Sequence, residues 1–238
     1  MLALVDSDIV SYRCAATAEN DPDWVAVART KELLEQILFD VKADTYQLYL
    51  SGPGNFRYEI YPDYKANRKQ PKPKHLKACE DYLVSEWGAT YTEGYEADDA
   101  LGIAQCESYN KDETKIKLDT IICSIDKDLL QIPGRHYNFV KKEFTEISPA
   151  RGLREFYTSV LVGDAADNIK GAAGIGKKKA PLILDGCTTE SEMFEACLNH
   201  YPSEDELLLN GQLLWIWRKE NDIWQLPVIN SKQEQVVQ

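Results

Sequence analysis

Three short apolar runs constrain this chain most: LALV (2–5), TYQLYL (45–50) and DTIICSI (119–125). Each is short for a helix: LALV and DTIICSI suit buried strands, and TYQLYL reads as a strand. Between and after them, residues 25–42, 73–87, 96–109 and 149–163 carry apolar side chains at helical spacing. A short strand is expected near 89–92, and HYNFV (136–140) with KEFTEI (142–147) reads as a hairpin. Strands alternating with helices predict an α/β fold, with a mostly parallel central sheet and helices on both faces. Ligands of such sheets bind beyond the carboxyl ends of the strands. Acids stand there in this chain: Asp6 and Asp8 after the first run, Asp126 and Asp128 after DTIICSI.

The 238 residues, 44 % of them hydrophobic, suffice for one large domain or a domain with an appendage. The expected division is an α/β core over 1–160 and a binding element with C-terminal helices over 161–238, the chain reading as helical beyond about 185. No apolar run approaches the roughly 18–20 residues of a membrane helix, so no membrane partner is expected. The N-terminus, with Asp6 and Asp8 and no basic lead, does not read as a signal peptide. Cys14, Cys79, Cys106, Cys123, Cys187 and Cys197 form no C-x-x-C, and His75, His136 and His200 are scattered, which argues against zinc. Several cysteines have apolar neighbours, as buried thiols of a reducing compartment do.

The stretch LVGDAADNIKGAAGIGKKKA (161–180) sets Asp164 and Asp167 before Gly171, Gly174 and Gly176, then Lys177, Lys178 and Lys179. Gly171 to Lys177 matches the start of a P-loop, but Lys178 stands where that loop needs Ser or Thr for Mg²⁺, and the preceding residues are polar rather than a buried strand. The glycines also lack the dinucleotide-binding order. Helix caps and turns explain any one of these residues, not the combination.

Four acidic clusters fall at the starts or ends of predicted elements: Asp6/Asp8, Glu96/Asp98/Asp99, Asp126/Asp128 and Asp164/Asp167. Singly, each suits a cap, an acidic first turn or a solvated turn. Gathered by one sheet, they would repel and raise one another's pKa. All-oxygen donors favour Mg²⁺ or Mn²⁺, and two such ions roughly 3.5–4 Å apart are a recurring device for phosphodiester hydrolysis.

The net charge of −12 disfavours nucleic acid in bulk, but residues 64–78 hold Lys65, Arg68, Lys69, Lys72, Lys74 and Lys77 and no acid. In that segment Tyr64 is a candidate to stack on a base, and Lys65 and Arg68 to contact a phosphate, with Arg57 a further candidate. The same segment also suits a solvated helix face.

In order along the chain, LVDSD (4–8), NFRYEIYPDYKANR (55–68), GYEADDALG (94–102), SIDKDLLQ (124–131) and VGDAADNIKGAAGIGKKKA (162–180) resemble five motifs of the 5′-nuclease superfamily. That superfamily comprises flap endonucleases, the 5′-nuclease domain of bacterial DNA polymerase I and phage 5′–3′ exonucleases. The resemblance covers roughly residues 1–185, and the small size is most similar to a phage-type enzyme. It implies a divalent-metal-dependent nuclease acting on DNA at 5′ ends, flaps or junctions, in a bacterial or phage-infected cytoplasm, with replication proteins as further partners. It implies that Asp6, Glu96, Asp98 and Asp99 gather a first metal ion and Asp126, Asp128, Asp164 and Asp167 a second, with Asp99 and Asp126 shared or acting through water. Asp6, Asp98 and Asp126 would be catalytic, with Lys65 and Arg68 steadying the scissile phosphate and Lys69 beside them. The glycine loop is similar to the family's helix–two-turn–helix, in which Gly171, Gly174 and Gly176 would admit backbone amides and a K⁺ ion to the duplex phosphates while Lys177 and Lys178 add charge.

The sequence departs from that pattern at the end of the second strand. The family carries another aspartate there, where this chain has Leu50 and Ser51. On the resemblance the first metal site loses a charge and needs more Mg²⁺, or prefers Mn²⁺. Ser7 replaces a common glycine. The short span from Arg68 to Glu96 argues against a long closed arch. Trp215, Trp217 and Trp224 in the tail either pack it onto the domain or stack on DNA or a partner. Two other classes fit part of the pattern: a non-catalytic DNA-junction module, suggested by the missing aspartate, and a PIN-type ribonuclease, which shares the acid-lined core but has no use for the glycine loop.

Overall fold

The computed structural model describes residues 1–109 and 119–227. The first strand, β1 (Leu2–Asp6), leads into helices α1 (Ser7–Thr17) and α2 (Asp23–Asp40), and the chain returns as β2 (Thr45–Leu50). Two helices, α3 (Phe56–Ile60) and α4 (Leu76–Trp87), lead to the short β3 (Thr90–Tyr91). Then come α5 (Ala97–Tyr109), β4 (Thr120–Cys123) and a 3-10 turn over Asp128–Gln131. The hairpin β5 (Gly134–Asn138) and β6 (Glu143–Ile147) precedes α6 (Pro149–Val162). Beyond it are a two-residue pair, β7 (Gly163–Asp164) with β8 (Ile169–Lys170), and α7 (Ala180–Ile183), α8 (Glu190–Leu198) and α9 (Glu204–Leu214). Among the described residues no helix is long and apolar enough to cross a membrane.

The main sheet has the order β3-β2-β1-β4-β5-β6, parallel throughout except for β6. The chain leaves β1 toward β2 and β3, then crosses back to β4 on its other side. A crevice therefore opens where β1 and β4 run parallel and their following loops diverge, the position at which such sheets bind ligands. Along β1, Ala3 and Val5 face one apolar layer and Leu4 the other. In β4, Ile121 and Cys123 face the first layer and Ile122 the second. Burial on both faces is why these strands read as continuous apolar runs.

The remaining sequence expectations for elements are met within a few residues. Two helices were not legible. In α1 the buried side are Ser7, Val10, Ser11, Cys14 and Ala15, which is too polar to show an apolar stripe. The α3 helix is only five residues long and begins within the turn-rich SGPGNFR stretch. The three tail tryptophans are buried, with Trp217 stacked on Phe56 at 4.9 Å and Trp215 edge-on to Phe156 at 4.8 Å. They pack the tail onto the domain. Cysteines 14, 79, 106, 123 and 197 are buried free thiols, and Cys187 is free and partly exposed.

Gly171 is required by the packing of its own backbone. A Cβ there would stand 2.3 Å from the Val162 carbonyl carbon and 2.4 Å from the Gly163 nitrogen. The glycine opposite, Gly163, has φ +71° and would clash in turn with the Gly171 nitrogen. Gly174, at φ +70°, and Gly176 have open space around them. Because backbone cannot give way as a flexible side chain can, Gly171→Ala is expected to cost about 1–3 kcal/mol and to lower the melting temperature measured by circular dichroism. Gly176→Ala, with no neighbour to meet, is the control that should leave it nearly unchanged.

Candidate active site

The sheet's register builds the cleft. Val5 pairs with Cys123, so Asp6 and Ser124 come level at the ends of β1 and β4. Ser124 Oγ donates to Asp6 Oδ2 at 2.6 Å, and the Ile9 N–H donates to Oδ1 at 3.1 Å, making Asp6 the N-cap of α1. Asp126 lies two residues beyond Ser124 and accepts from the Asp128 N–H at 2.8 Å. From the neighbouring strand, Ser51 Oγ accepts from the Ala97 N–H at 3.0 Å and so caps the first turn of α5, which bears Asp98 and Asp99. The β7–β8 turn adds Asp164, which accepts from the Ala166 N–H at 2.7 Å, and Asp167.

Together these elements enclose a cleft of about 500 Å³ walled by Asp6, Asp8, Glu96, Asp98, Asp126, Asp128, Asp164 and Asp167, with Lys65, Arg68 and Lys177 among them. Seven of the eight sequence-predicted carboxylates meet there. Asp8, which the sequence offered only as part of a cluster, joins them.

Charge in the cleft is under-compensated. Burial, then the charges of Asp8 and Asp126, push the Asp6 carboxyl up to about 7 against its two hydrogen bonds. Burial, then Asp6, Asp126 and Glu96, raise Asp98 well above the carboxylate range. Asp128 is pushed up to about 6, mainly by burial and Asp126. Asp8 is raised chiefly by burial. Burial would raise Glu96 too, but Lys65 and Arg57 outweigh it and hold it low.

Two cations lie on the opposite wall. Lys65, in a left-handed backbone conformation at φ 58°, donates to Glu96 Oε1 and lies 3.7 Å from Asp167 Oδ2. Arg68 is half exposed and pairs with Asp167 Oδ1. The segment carrying them is fastened to the β7–β8 turn by the Lys65 N–H to the Asp167 carbonyl at 2.9 Å and by Asn168 Nδ2 to the Asp63 carbonyl at 2.9 Å.

Three expectations need correction. Asp99 does not reach the cleft: it is fully buried and forms a two-pronged ion pair with Arg57, at 2.7 and 2.9 Å. Arg57 is therefore no phosphate contact. It is 3 % exposed and commits two further donors to the carbonyls of Leu213 and Trp215, at 2.9 and 2.8 Å. Tyr64 cannot stack on a base, being 3 % exposed with its hydroxyl on Glu96 Oε2 at 2.9 Å and Asp167 Oδ2 at 3.0 Å. An F-R pair and an aromatic beside lysines look alike in sequence whether they face a ligand or the core.

A larger groove, about 850 Å³, opens from the same cleft and is shared with it at Asp8, Ser51, Lys65, Arg68 and Glu96. Its walls include Lys69, Lys72 and the half-exposed Tyr12 and Tyr58, two aromatics that sequence reading missed. Lys177 lines the acid cleft, Lys178 is exposed, and Lys179 Nζ turns back to the Gly174 carbonyl at 3.1 Å. The loop over 171–179 runs into the single turn of α7 rather than a long second helix.

The donor set, all carboxylate oxygen gathered in one crevice, suits hard divalent cations. Among the described residues no three His, Cys, Asp or Glu side chains converge into a ready-made metal shell. Side-chain rotation would have to close one.

Residues 1–157 match the family model described as the 5′-3′ exonuclease, N-terminal resolvase-like domain. The chain belongs to that family, and with it to the 5′-nuclease superfamily. It is 31 % identical over 201 residues to the thermostable DNA polymerase I of Thermus aquaticus, a match spanning 76 % of this chain and 23 % of that protein. It is 32 % identical over 158 residues to DNA polymerase I of Deinococcus radiodurans, 59 % of this chain and 16 % of the relative. The chain thus spans less than a quarter of the length of these relatives. In fold it is similar to the bacteriophage T5 D15 flap endonuclease, whose pseudo-enzyme–product complex with DNA and metal ions superposes with a TM-score of 0.71 at 18 % identity, covering 90 % of this chain and 88 % of that one. A T5 D15 crystal containing metal ions gives a TM-score of 0.68 at 18 % identity and the same coverage.

Asp98 is surrounded by like charge and has no hydrogen-bond partner among those found for the described residues. Asp98→Asn should therefore stabilise the metal-free protein. An increase of about 2–4 °C in melting temperature in EDTA, corresponding to roughly 1 kcal/mol, is expected from scanning calorimetry.

Proposed function

We propose that this chain is a divalent-metal-dependent 5′ nuclease. It hydrolyses DNA phosphodiesters at 5′ ends or 5′ flaps, as a 5′–3′ exonuclease, a structure-specific flap endonuclease or both, and leaves a 5′-phosphate and a 3′-hydroxyl. The observation that carries this reading is the cleft in which eight carboxylates face Lys65, Arg68 and Lys177 at the switch point of the sheet, in a member of the 5′–3′ exonuclease family. A pure DNA-binding surface gains nothing from so many carboxylates, which repel phosphate.

Asp6, Glu96, Asp98, Asp126, Asp128, Asp164 and Asp167 would hold two Mg²⁺ or Mn²⁺ ions. When bound, such ions supply an activated water and neutralise charge at the phosphate and leaving oxygen. Lys65 and Arg68 orient the scissile phosphate. Their present partners, Glu96 and Asp167, are members of the metal-holding set, so Lys65 and Arg68 would be free to meet the phosphate once those carboxylates held metal. The unpaired strand lies in the larger groove, where Lys69 and Lys72 meet its phosphates and Tyr12 and Tyr58 offer faces to its bases. Duplex is gripped by the open loop at Gly174 and Gly176, where a K⁺ ion can join exposed backbone, and by Lys177 and Lys178. The DNA polymerase I relatives support a place among replication proteins. The two units of the proposal are the core over 1–160 and the binding element with its helices over 161–238.

The deciding experiment uses a 5′-flap duplex labelled at its 3′ end, incubated with Mg²⁺, with Mn²⁺ and with EDTA. A metal-dependent cut at the junction or a ladder from the 5′ end supports the reading, and tells endonuclease from exonuclease. Retained gel shift without any product would overturn it in favour of a binding module, and faster cutting of the RNA counterpart in favour of a ribonuclease. Asp126→Ala should abolish turnover while DNA affinity holds or rises. Lys177→Ala should weaken duplex binding, and flatten the salt dependence of log affinity by about one.

A further inference from the structure

Around the acid cleft, β1 brings Asp6 at its end, β4 is followed by Asp126 and Asp128, the β7–β8 turn brings Asp164 and Asp167, and the start of α5 brings Glu96 and Asp98. The end of β2 brings Leu50 and Ser51, and neither is acidic. A carboxylate stands there nonetheless. Asp6 is in register with Tyr49, so the first turn of α1 carries Asp8 up to Ser51. The Ser51 N–H lies 3.1 Å from Asp8 Oδ1 and 3.1 Å from Oδ2. Asp8 borders both the acid cleft and the larger groove, on the side of Glu96 and Lys65. Among the described residues it has no ion-pair partner, because Lys65 is committed to Glu96 and Asp167.

We propose that Asp8 supplies, from α1, the metal-holding carboxylate that the end of β2 lacks, so that the cation site beside Glu96 keeps its full charge. The inference rests on the metal-dependent reading above. Ser51 explains why the carboxylate is carried by the helix. Its hydroxyl is already used to cap α5, and its N–H fixes Asp8, so one small residue positions two acidic elements at once. An aspartate at position 51 would instead face Asp8 at close range, where like charges destabilise each other.

The competing role for Asp8 is a structural one, as an acid favoured in the first turn of α1. Manganese binding by the full chain without DNA, measured by calorimetry and by electron paramagnetic resonance of free Mn²⁺, separates the two. Asp8→Asn keeps an acceptor for the Ser51 N–H and should fold, with its melting temperature in EDTA unchanged or higher. It should weaken Mn²⁺ binding by about tenfold or more. Ser51→Asp alone should not tighten binding, whereas Ser51→Asp in the Asp8→Asn background should recover most of the loss. Wild-type Mn²⁺ affinity in Asp8→Asn, with affinity lost in Asp126→Asn, would overturn the role of Asp8 and leave the metal-dependent reading standing. Wild-type affinity in Asp126→Asn as well would overturn both.

Discussion

The structure is organised around one buried ion pair. Arg57, on α3, meets Asp99, on α5, with two parallel hydrogen bonds, and two further donors of the guanidinium reach main-chain carbonyls of the tail. Asp99 is equally occupied, accepting from the N–H groups of Glu96 and Trp217. A buried pair satisfied on all sides is costly to break, since losing one partner strands the other charge. This joint fixes the first turn of α5, and hence the directions of Glu96 and Asp98 into the cleft. It also attaches the segment at 213–217 across the outer face of α5. Catalytic geometry and tail attachment share one charge pair.

Against that satisfied pair, the cleft shows the opposite economy. Asp6 is buried and Asp98 partly buried, both close to other acids and held above their ordinary range, so part of the folding free energy is spent on charge that the protein alone does not neutralise. Lys65 and Arg68 offset some of it from the far wall, through Glu96 and Asp167. Titratable groups strained in this way mark sites where function rather than stability has set the residue. Two kinds of buried charge thus coexist within one α/β layer, one paired for structure and one left poised for a ligand.

Much of this was legible in the sequence, and the misses have physical causes. Strands buried on both faces announce themselves as apolar runs, and acids directly after them point to the ligand end of a parallel sheet, as Asp6 and Asp126 do. What a linear pattern does not carry is direction. Asp98 and Asp99 are neighbours on one helix turn, roughly 100° apart around its axis, and only packing decides that one faces the cleft and the other the core. Arg57 and Tyr64 sit among basic and aromatic residues yet point inward, because α3 and the chain after it fold under the tail. Asp8 was visible only as half of a pair with Asp6. Its proximity to Ser51 follows from the β1–β2 register, which brings residues 43 positions apart into contact. The α1 helix was hidden because its buried side is lined with serine, cysteine and alanine.

Arg57 grips the tail through the carbonyl oxygens of Leu213 and Trp215, and Asp99 through the N–H of Trp217. Atoms of that kind are common to every residue, proline apart for the N–H. These three bonds are therefore indifferent to which side chains stand at their positions and sensitive to their count, whereas burial holds Leu213, Trp215, Ile216 and Trp217 to apolar identity. Gain or loss of a single residue would shift the contacts out of phase. The link between the core and the C-terminal helices is thus written in spacing as well as in side-chain identity.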